Sequence, residues 1–359
     1  MRSNLPSPCD GVINGGQQNV LRVALRETAA ILQLTRAPYR RTPEDHSVQE
    51  TAFKIGTRGS PLALAQAHEV KRLLMNAHVR RDYDFEIVVI KTSGDKIQDR
   101  PLAEVGGKGL FTKEIEEALL ARQIDLAVHS MKDVATELPP GLGLSVMLPR
   151  EDVRDAFISP RHKLLGDMPA GAKIGTSSLR RAAQVRFMRP DLEVVEFRGN
   201  VQTRLKKLED GVADATFLAC AGLNRLGMAD QVTTAVDTGQ MLPAVGQGAI
   251  GIEIRDDEDT IRDLLGPLND EKTALCVTAE RAFLKELEGS CRTPIGGLAE
   301  LAEGHLTIRG EMLSPDGTER YEGERSGPAA SAIRIGEELA QDLINKAGPD
   351  FLQRLKDAT

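Results

Sequence analysis

The 359-residue sequence predicts an α/β fold, with two doubly wound halves around a cleft and a small C-terminal α+β domain. Three features predict this: a divergent internal duplication, β-branched runs alternating with helical patterns, and a change of pattern after residue 270. Hydrophobic residues make up 41% and charged residues 28%, the balance of a soluble globular chain. No apolar run reaches the roughly 18 residues needed to cross a membrane. The formal charge of −7 gives no general attraction to nucleic acid, so any anion site must be a local basic patch.

Residues 1–51 mix Pro, Gly, Gln and Arg and lack the apolar core and cleavage site of a secretory signal. They are expected to be a disordered extension. Residues 19–36 carry a short amphipathic pattern, and Glu27 argues against a transit peptide. Since no Met falls between Met1 and Met75, an overlong gene model is one explanation for the extension.

The duplication begins at Lys54-Ile55-Gly56-Thr57, which recurs as Lys173-Ile174-Gly175-Thr176. Residues 84–91 resemble 191–198, and 123–128 resemble 212–217, in the same order. Each half therefore reads β-α-β-α-β, which implies a mostly parallel sheet because right-handed crossover helices join parallel strands compactly. Ligands in such sheets sit beyond the carboxyl ends of the strands. The residues there are polar: Thr57-Arg58-Gly59-Ser60-Pro61, Thr92-Ser93-Gly94-Asp95 and His129-Ser130-Met131-Lys132-Asp133 in the first half. In the second half they are Thr176-Ser177-Ser178-Leu179-Arg180-Arg181, Arg198-Gly199-Asn200 and Ala221-Gly222-Leu223-Asn224-Arg225. Ser60 before Pro61, and Ser178, are helix N-cap signals that could offer backbone N–H groups to an anion.

Between Lys173 and Lys207 nine Lys/Arg face three acids, against the acidic trend of the whole. Arg186, Arg189, Lys206 and Lys207 read as a solvated helix face. Arg180, Arg181 and Arg198 sit at strand-to-helix turns, where guanidinium forks grip carboxylates or phosphates. Asp133, beyond an apolar strand and beside Lys132, is the best candidate for a catalytic carboxylate, with a helix cap as the alternative. His129 reads as a core histidine. Gly246-Gln247-Gly248-Ala249-Ile250-Gly251 matches the dinucleotide fingerprint but leads into a strand instead of opening a helix, so it is expected to be a backbone crossing. Gly106-Gly107-Lys108-Gly109 lacks Walker spacing and reads as a mobile loop.

The cysteines, Cys9, Cys220, Cys276 and Cys291, include no C-x-x-C pair, so no metal or disulfide framework is expected. Cys220 and Cys276 read as buried small hydrophobes. Cys291 differs: it lies in the Gly-rich loop Glu288-Gly289-Ser290-Cys291-Arg292-Thr293-Pro294, beside a cation, a setting that favours thiolate and covalent chemistry. Around this loop the pattern gives a helix near 273–287, strands near 297–302 and 305–313, the turn Ser314-Pro315-Asp316-Gly317, a further strand and two helices.

From about residue 52 onward the chain resembles the porphobilinogen deaminase family. The resemblance rests on Ile55-Gly56-Thr57-Arg58-Gly59-Ser60-Pro61-Leu62-Ala63, Val105-Gly106-Gly107-Lys108-Gly109-Leu110-Phe111, Val128-His129-Ser130-Met131-Lys132-Asp133, Gly175-Thr176-Ser177-Ser178-Leu179-Arg180-Arg181, Arg198-Gly199-Asn200-Val201-Gln202-Thr203-Arg204 and the Cys291 loop. It implies two periplasmic-binding-protein-like domains and a third carrying the cysteine: 52–149 with 243–268, 150–242, and 269–359, with hinges near 148–153 and 242–246. It further implies a cytoplasmic, monomeric transferase of tetrapyrrole and heme biosynthesis, whose partner is the small molecule porphobilinogen and not a nucleic acid, a membrane or a metal. The matching Cys291 would hold a dipyrromethane cofactor by a thioether. Ser130, Lys132, Ser178, Arg180, Arg181 and Arg204 match cofactor-binding positions; Arg58, Ser60, Arg198 and Arg225 match substrate-binding positions; Asp133 matches the catalytic carboxylate. Without Cys291 and Asp133 the duplicated cleft would equally suit a carboxylate-binding module.

Overall fold

The computed structural model describes residues 52–96, 111–290 and 293–357, all within one compact unit. Strand β1 (Ala52–Arg58), helix α1 (Pro61–Ala77), β2 (Asp84–Ile90), α2 (Lys113–Leu120), β3 (Leu126–Ser130) and β4 (Leu142–Met147) come first. After a crossing come β5 (Asp155–Ile158), β6 (Lys173–Gly175), α3 (Leu179–Met188), β7 (Glu193–Val195), α4 (Val201–Glu209), β8 (Ala215–Ala219), α5 (Cys220–Arg225) and β9 (Thr234–Ala235). The chain then returns through β10 (Ile250–Arg255) and α6 (Asp259–Leu265) before α7 (Glu271–Glu286), β11 (Ile295–Ala302), β12 (His305–Leu313), β13 (Arg320–Pro328) and α8 (Ala332–Asp357). Gly348 and Pro349 break α8, which accounts for the two terminal helices read from the sequence. Among the described residues no helix is long and apolar enough to cross a membrane.

The strands form two five-stranded sheets, ordered β2-β1-β3-β10-β4 and β7-β6-β8-β5-β9, and a three-stranded antiparallel sheet, β11-β12-β13. The duplication is visible in single bonds. Lys54 N–H donates to Asp125 Oδ2 and Lys173 N–H to Asp214 Oδ2, both at 2.7 Å. Helices cover both faces of the first sheet. Ala67, Val70 and Leu74 of α1 and Ile261 and Leu264 of α6 bury Ile55, Leu126 and Ile252, while Ile115 and Leu119 of α2 pack on Ala127 from the other side. In the second sheet, Leu205 and Leu208 of α4 cover Ile158 and Leu218, and Val185 of α3 lies with Ile174 and Phe217.

The sheets are mostly parallel, as the duplication implies, with one reversed strand in each: β10 runs antiparallel to β3 and β4, and β5 antiparallel to β8 and β9. Each is the first strand after a crossing, so it enters its sheet from the hinge side, opposite to strands delivered by crossover helices.

The two crossings are held by buried ionic groups. Glu280 of α7 is fully buried and accepts from Arg150 Nη1 (2.6 Å) and Nη2 (3.0 Å) on the outbound crossing, Gly246 N–H (2.7 Å) on the return, and Ala299 N–H (2.8 Å) in β11. The glycine motif lies at this return crossing. A Cβ on Gly246 would stand 2.9 Å from Met131 Cβ and 3.0 Å from Met131 carbonyl carbon, so the two backbones touch there. The motif therefore serves packing, and β10 follows it.

Candidate active site

Apolar strand β3 ends in a short 3-10 turn, Met131–Asp133, that presents Lys132 and Asp133 at its end. Asp133 caps no helix. Its carboxylate keeps about a third of its surface exposed and faces Arg58 of β1 at 3.8 Å, while the Arg58 guanidinium lies over the Phe111 ring at 4.1 Å. Burial brings the Lys132 ammonium down from its ordinary range to about 8; Asp133 and Asp155 oppose this and Arg181 and Arg180 add to it. Burial, with Arg181 and Arg198 nearby, lowers Arg204 to about 10, against Glu196 and Asp133. Lys132, Arg58 and Asp133 from the first sheet thus share one electrostatic neighbourhood with Arg180, Arg181, Arg198 and Arg204 from the second.

Ser178 is the N-cap of α3, with its hydroxyl accepting from Arg181 N–H, so the first turn of that helix carries Arg180 and Arg181 inward. Both guanidiniums are buried and share one carboxylate, Asp155 at the start of β5. Arg181 directs Nε (3.1 Å) and Nη2 (2.6 Å) to Asp155 Oδ1 and Nη1 to Phe217 carbonyl (2.8 Å). Arg180 pairs Nη2 with Asp155 Oδ2 as an ion pair (2.8 Å) and donates Nη1 to Leu242 carbonyl (2.7 Å), and its buried Nε has no hydrogen-bond partner. Burial opposes ionisation of Asp155, but the two guanidiniums outweigh it and hold the carboxyl well below the usual range. A guanidinium has about five N–H groups, so each arginine is fixed while keeping donors for a further ligand.

Other expected site residues take different partners. Ser60 caps α1, accepting from Ala63 N–H at 3.2 Å, and Ser130 exchanges hydrogen bonds with Gln66. Arg225 binds Glu69 (3.3 Å) and Gly248 carbonyl (3.0 Å), joining α1 to the return crossing. Arg204 donates Nε to Gly199 carbonyl. Lys207, read as solvated, instead holds the Arg198 carbonyl (3.0 Å), and Arg186 binds Pro315 carbonyl (2.7 Å). His129 is a core histidine bonded to Glu253 at 2.9 Å, and Cys220 and Cys276 are buried thiols pushed up to about 11 by desolvation. Cys291, Arg292, the 106–109 loop with Lys108, and residues 1–51 lie outside the described residues.

Sequence reasoning missed Asp155, Glu280 and Arg281. A signal for the first was present: Asp155 opens the apolar strand Asp155-Ala156-Phe157-Ile158, and an acid fully buried in such a run must be paired.

Two family models match. The porphobilinogen deaminase, dipyromethane cofactor binding domain spans residues 53–263, and the porphobilinogen deaminase C-terminal domain spans 274–345. A porphobilinogen deaminase of Paracoccus denitrificans (strain Pd 1222) is 59% identical over 302 residues, 84% of this chain and 96% of its own length. Another, from Nitrobacter winogradskyi, is 57% identical over 297 residues, 83% and 94% of the two chains. Among solved structures, the methionine binding protein MetQ is similar at 12% identity and TM-score 0.40, over 62% of this chain and 92% of its own. With one matched model spanning both crossings, a second over the C-terminal part and relatives this close along most of its length, the chain belongs to the porphobilinogen deaminase family.

Proposed function

We propose that the Asp133 pocket is where this enzyme carries out its transferase reaction. Four porphobilinogen units condense head to tail on a covalently held dipyrromethane, with loss of ammonia at each addition, and water then releases hydroxymethylbilane. The observation that carries the assignment is a partly exposed carboxylate, Asp133, among six cations (Lys132, Arg58, Arg180, Arg181, Arg198 and Arg204) that outnumber the neighbouring carboxylates.

The residues fit a polycarboxylate cofactor. Each pyrrole brings an acetate and a propionate, and the pocket has both an excess of positive charge and a buried Arg180 Nε without a partner. When bound, the dipyrromethane supplies the covalent primer for chain growth. Ser130, Lys132, Ser178, Arg180, Arg181 and Arg204 hold its carboxylates, and Cys291 carries the thioether. Arg58, Ser60, Arg198 and Arg225 receive the carboxylates of incoming substrate. Because Asp155 already fixes Arg180 and Arg181, little side-chain freedom remains to be lost on binding. Asp133 faces the positive charge that develops as ammonia departs, stabilises it, and accepts the pyrrole protons. The working units are 52–149 with 243–268, 150–242 and 269–359, in a monomeric cytoplasmic enzyme.

Intact mass after denaturation, measured beside turnover, tests this reading. Asp133→Asn is expected to keep the primer mass and lose most turnover, and Cys291→Ser to lack the thioether-linked increment. Wild-type kcat in the first variant, or the same increment in the second, removes that residue from the mechanism.

A further inference from the structure

Among the described residues Asp133 has no close partner to hold it. Its nearest ion pair, to Arg58, spans 3.8 Å, so the carboxylate takes its position from the backbone beneath it. That backbone is held from two sides. On one side Met131 N–H donates to Ala249 carbonyl (3.0 Å), and Gly246 packs against Met131. On the other, Arg281 of α7 reaches the segment directly after Asp133 and binds three successive carbonyls: Val134 (3.3 Å), Ala135 (2.7 Å) and Thr136 (3.1 Å).

We propose that Arg281 is a positioning residue for Asp133, and that its guanidinium sets the course of residues 134–136 and through them the placement of the carboxylate. This rests on the reading of Asp133 above. Among the described residues Arg281 makes no ion pair, so its charge is used on carbonyls alone, a costly arrangement if helix packing were all it served. Burial lowers its pKa to about 10, against the more distant Glu253, and it remains a cation at neutral pH. The planar fork matters, since one guanidinium can address adjacent carbonyls at fixed angles where an ammonium cannot. Fold retention on its loss is expected from the surroundings. Arg281 and Thr136 line a cavity of about 360 Å³ with Met147, Val277 and Lys285, open enough for water to reach the freed carbonyls.

The test compares Arg281→Met with Asp133→Asn in the primer-loaded enzyme. For Arg281→Met the expected result is unchanged primer mass, KM within about twofold, kcat lowered about 10- to 100-fold, the scale of an ångström-size misplacement, and faster amide exchange at residues 134–137. A kcat within about twofold of wild type, while Asp133→Asn is inactive, overturns the inference, as does a loss confined to KM. Wild-type turnover in Asp133→Asn overturns the reading of the site, and this inference with it. Should the Met variant fail to fold, Arg281→Lys keeps the charge without the fork; reduced kcat at constant KM supports the inference, and wild-type kcat overturns it.

Discussion

Replacing Glu280 by Gln should loosen the junction of both crossings with the third sheet, by an amount that follows from its bonds. The carboxylate receives two N–H groups on each oxygen: Arg150 Nη1 and Ala299 N on Oε1, Arg150 Nη2 and Gly246 N on Oε2. An amide keeps one acceptor, so two of the four bonds become donor against donor. Arg150, whose side chain is 11% exposed, is also left without its counter-ion. Breaking a buried pair in this way costs about 3–5 kcal/mol, and the two lost charged hydrogen bonds, at roughly 1.5–3 kcal/mol each, are part of that same loss and not additional to it. At about 2 °C per kcal/mol for a chain of this size, thermal unfolding of the loaded enzyme should fall by about 6–10 °C. Arg150→Met added to Glu280→Gln should recover part of the fall, because the stranded charge is removed. A Tm within about 2 °C of wild type for Glu280→Gln would refute the reasoning.

Lys132 gives a pH dependence. Its folded pKa of about 8 lies below its ordinary 10.5. Between those values the unfolded chain holds a proton that the folded chain has lost, so the contribution to stability is complete above 10.5 and absent below 8. Carboxylates favour the charged form, so attachment of primer to protein made without it should weaken as pH rises through 8, and should be lower and flat in Lys132→Gln. An equal extent of attachment by wild type at about pH 7 and 9, read by intact mass, contradicts this. At the third sheet, a Cβ on Gly317 (φ 76°) would lie 2.6 Å from Arg186 Cβ and 2.7 Å from Phe187 N, where the hairpin tip rests on α3. Gly317→Ala should therefore destabilise by about 1–3 kcal/mol, seen as a shifted denaturant midpoint; no shift would mean the tip is not seated there.

The duplicated strands were legible because their short motifs recur in the same order and end in polar residues, and β1 and β6 even repeat their bonds to Asp125 and Asp214. Asp133, Lys132 and the arginine pair were legible for a related reason: they follow strands, where sheet geometry sets the ligand. The antiparallel β5 and β10 were not, since four to six residues of apolar chain carry no mark of direction. Nor were the partners. Arg180 and Arg181 read as free hands for a ligand, whereas both are first bound to Asp155, 25 and 26 residues earlier in the chain, a pairing that depends on the crossing and leaves no local pattern.

Helix α7 carries this point further. Cys276, Ala279 and Phe283 face the core of the third sheet, Glu280 faces the crossings, and Arg281 faces the segment after Asp133. Successive helical residues point about 100° apart, so neighbours in sequence can serve separate bodies without competing for space. A helix held on several sides by buried groups cannot shift toward one body without straining its bonds to another. Movement at the crossings and displacement of Asp133 are therefore linked through one rigid element. The effects of Glu280→Gln and Arg281→Met on kcat should then combine non-additively, as expected for adjacent groups acting through a shared support. Simple additivity would mean that the crossings and the Asp133 segment are held independently, and that α7 is two unrelated contacts on one helix.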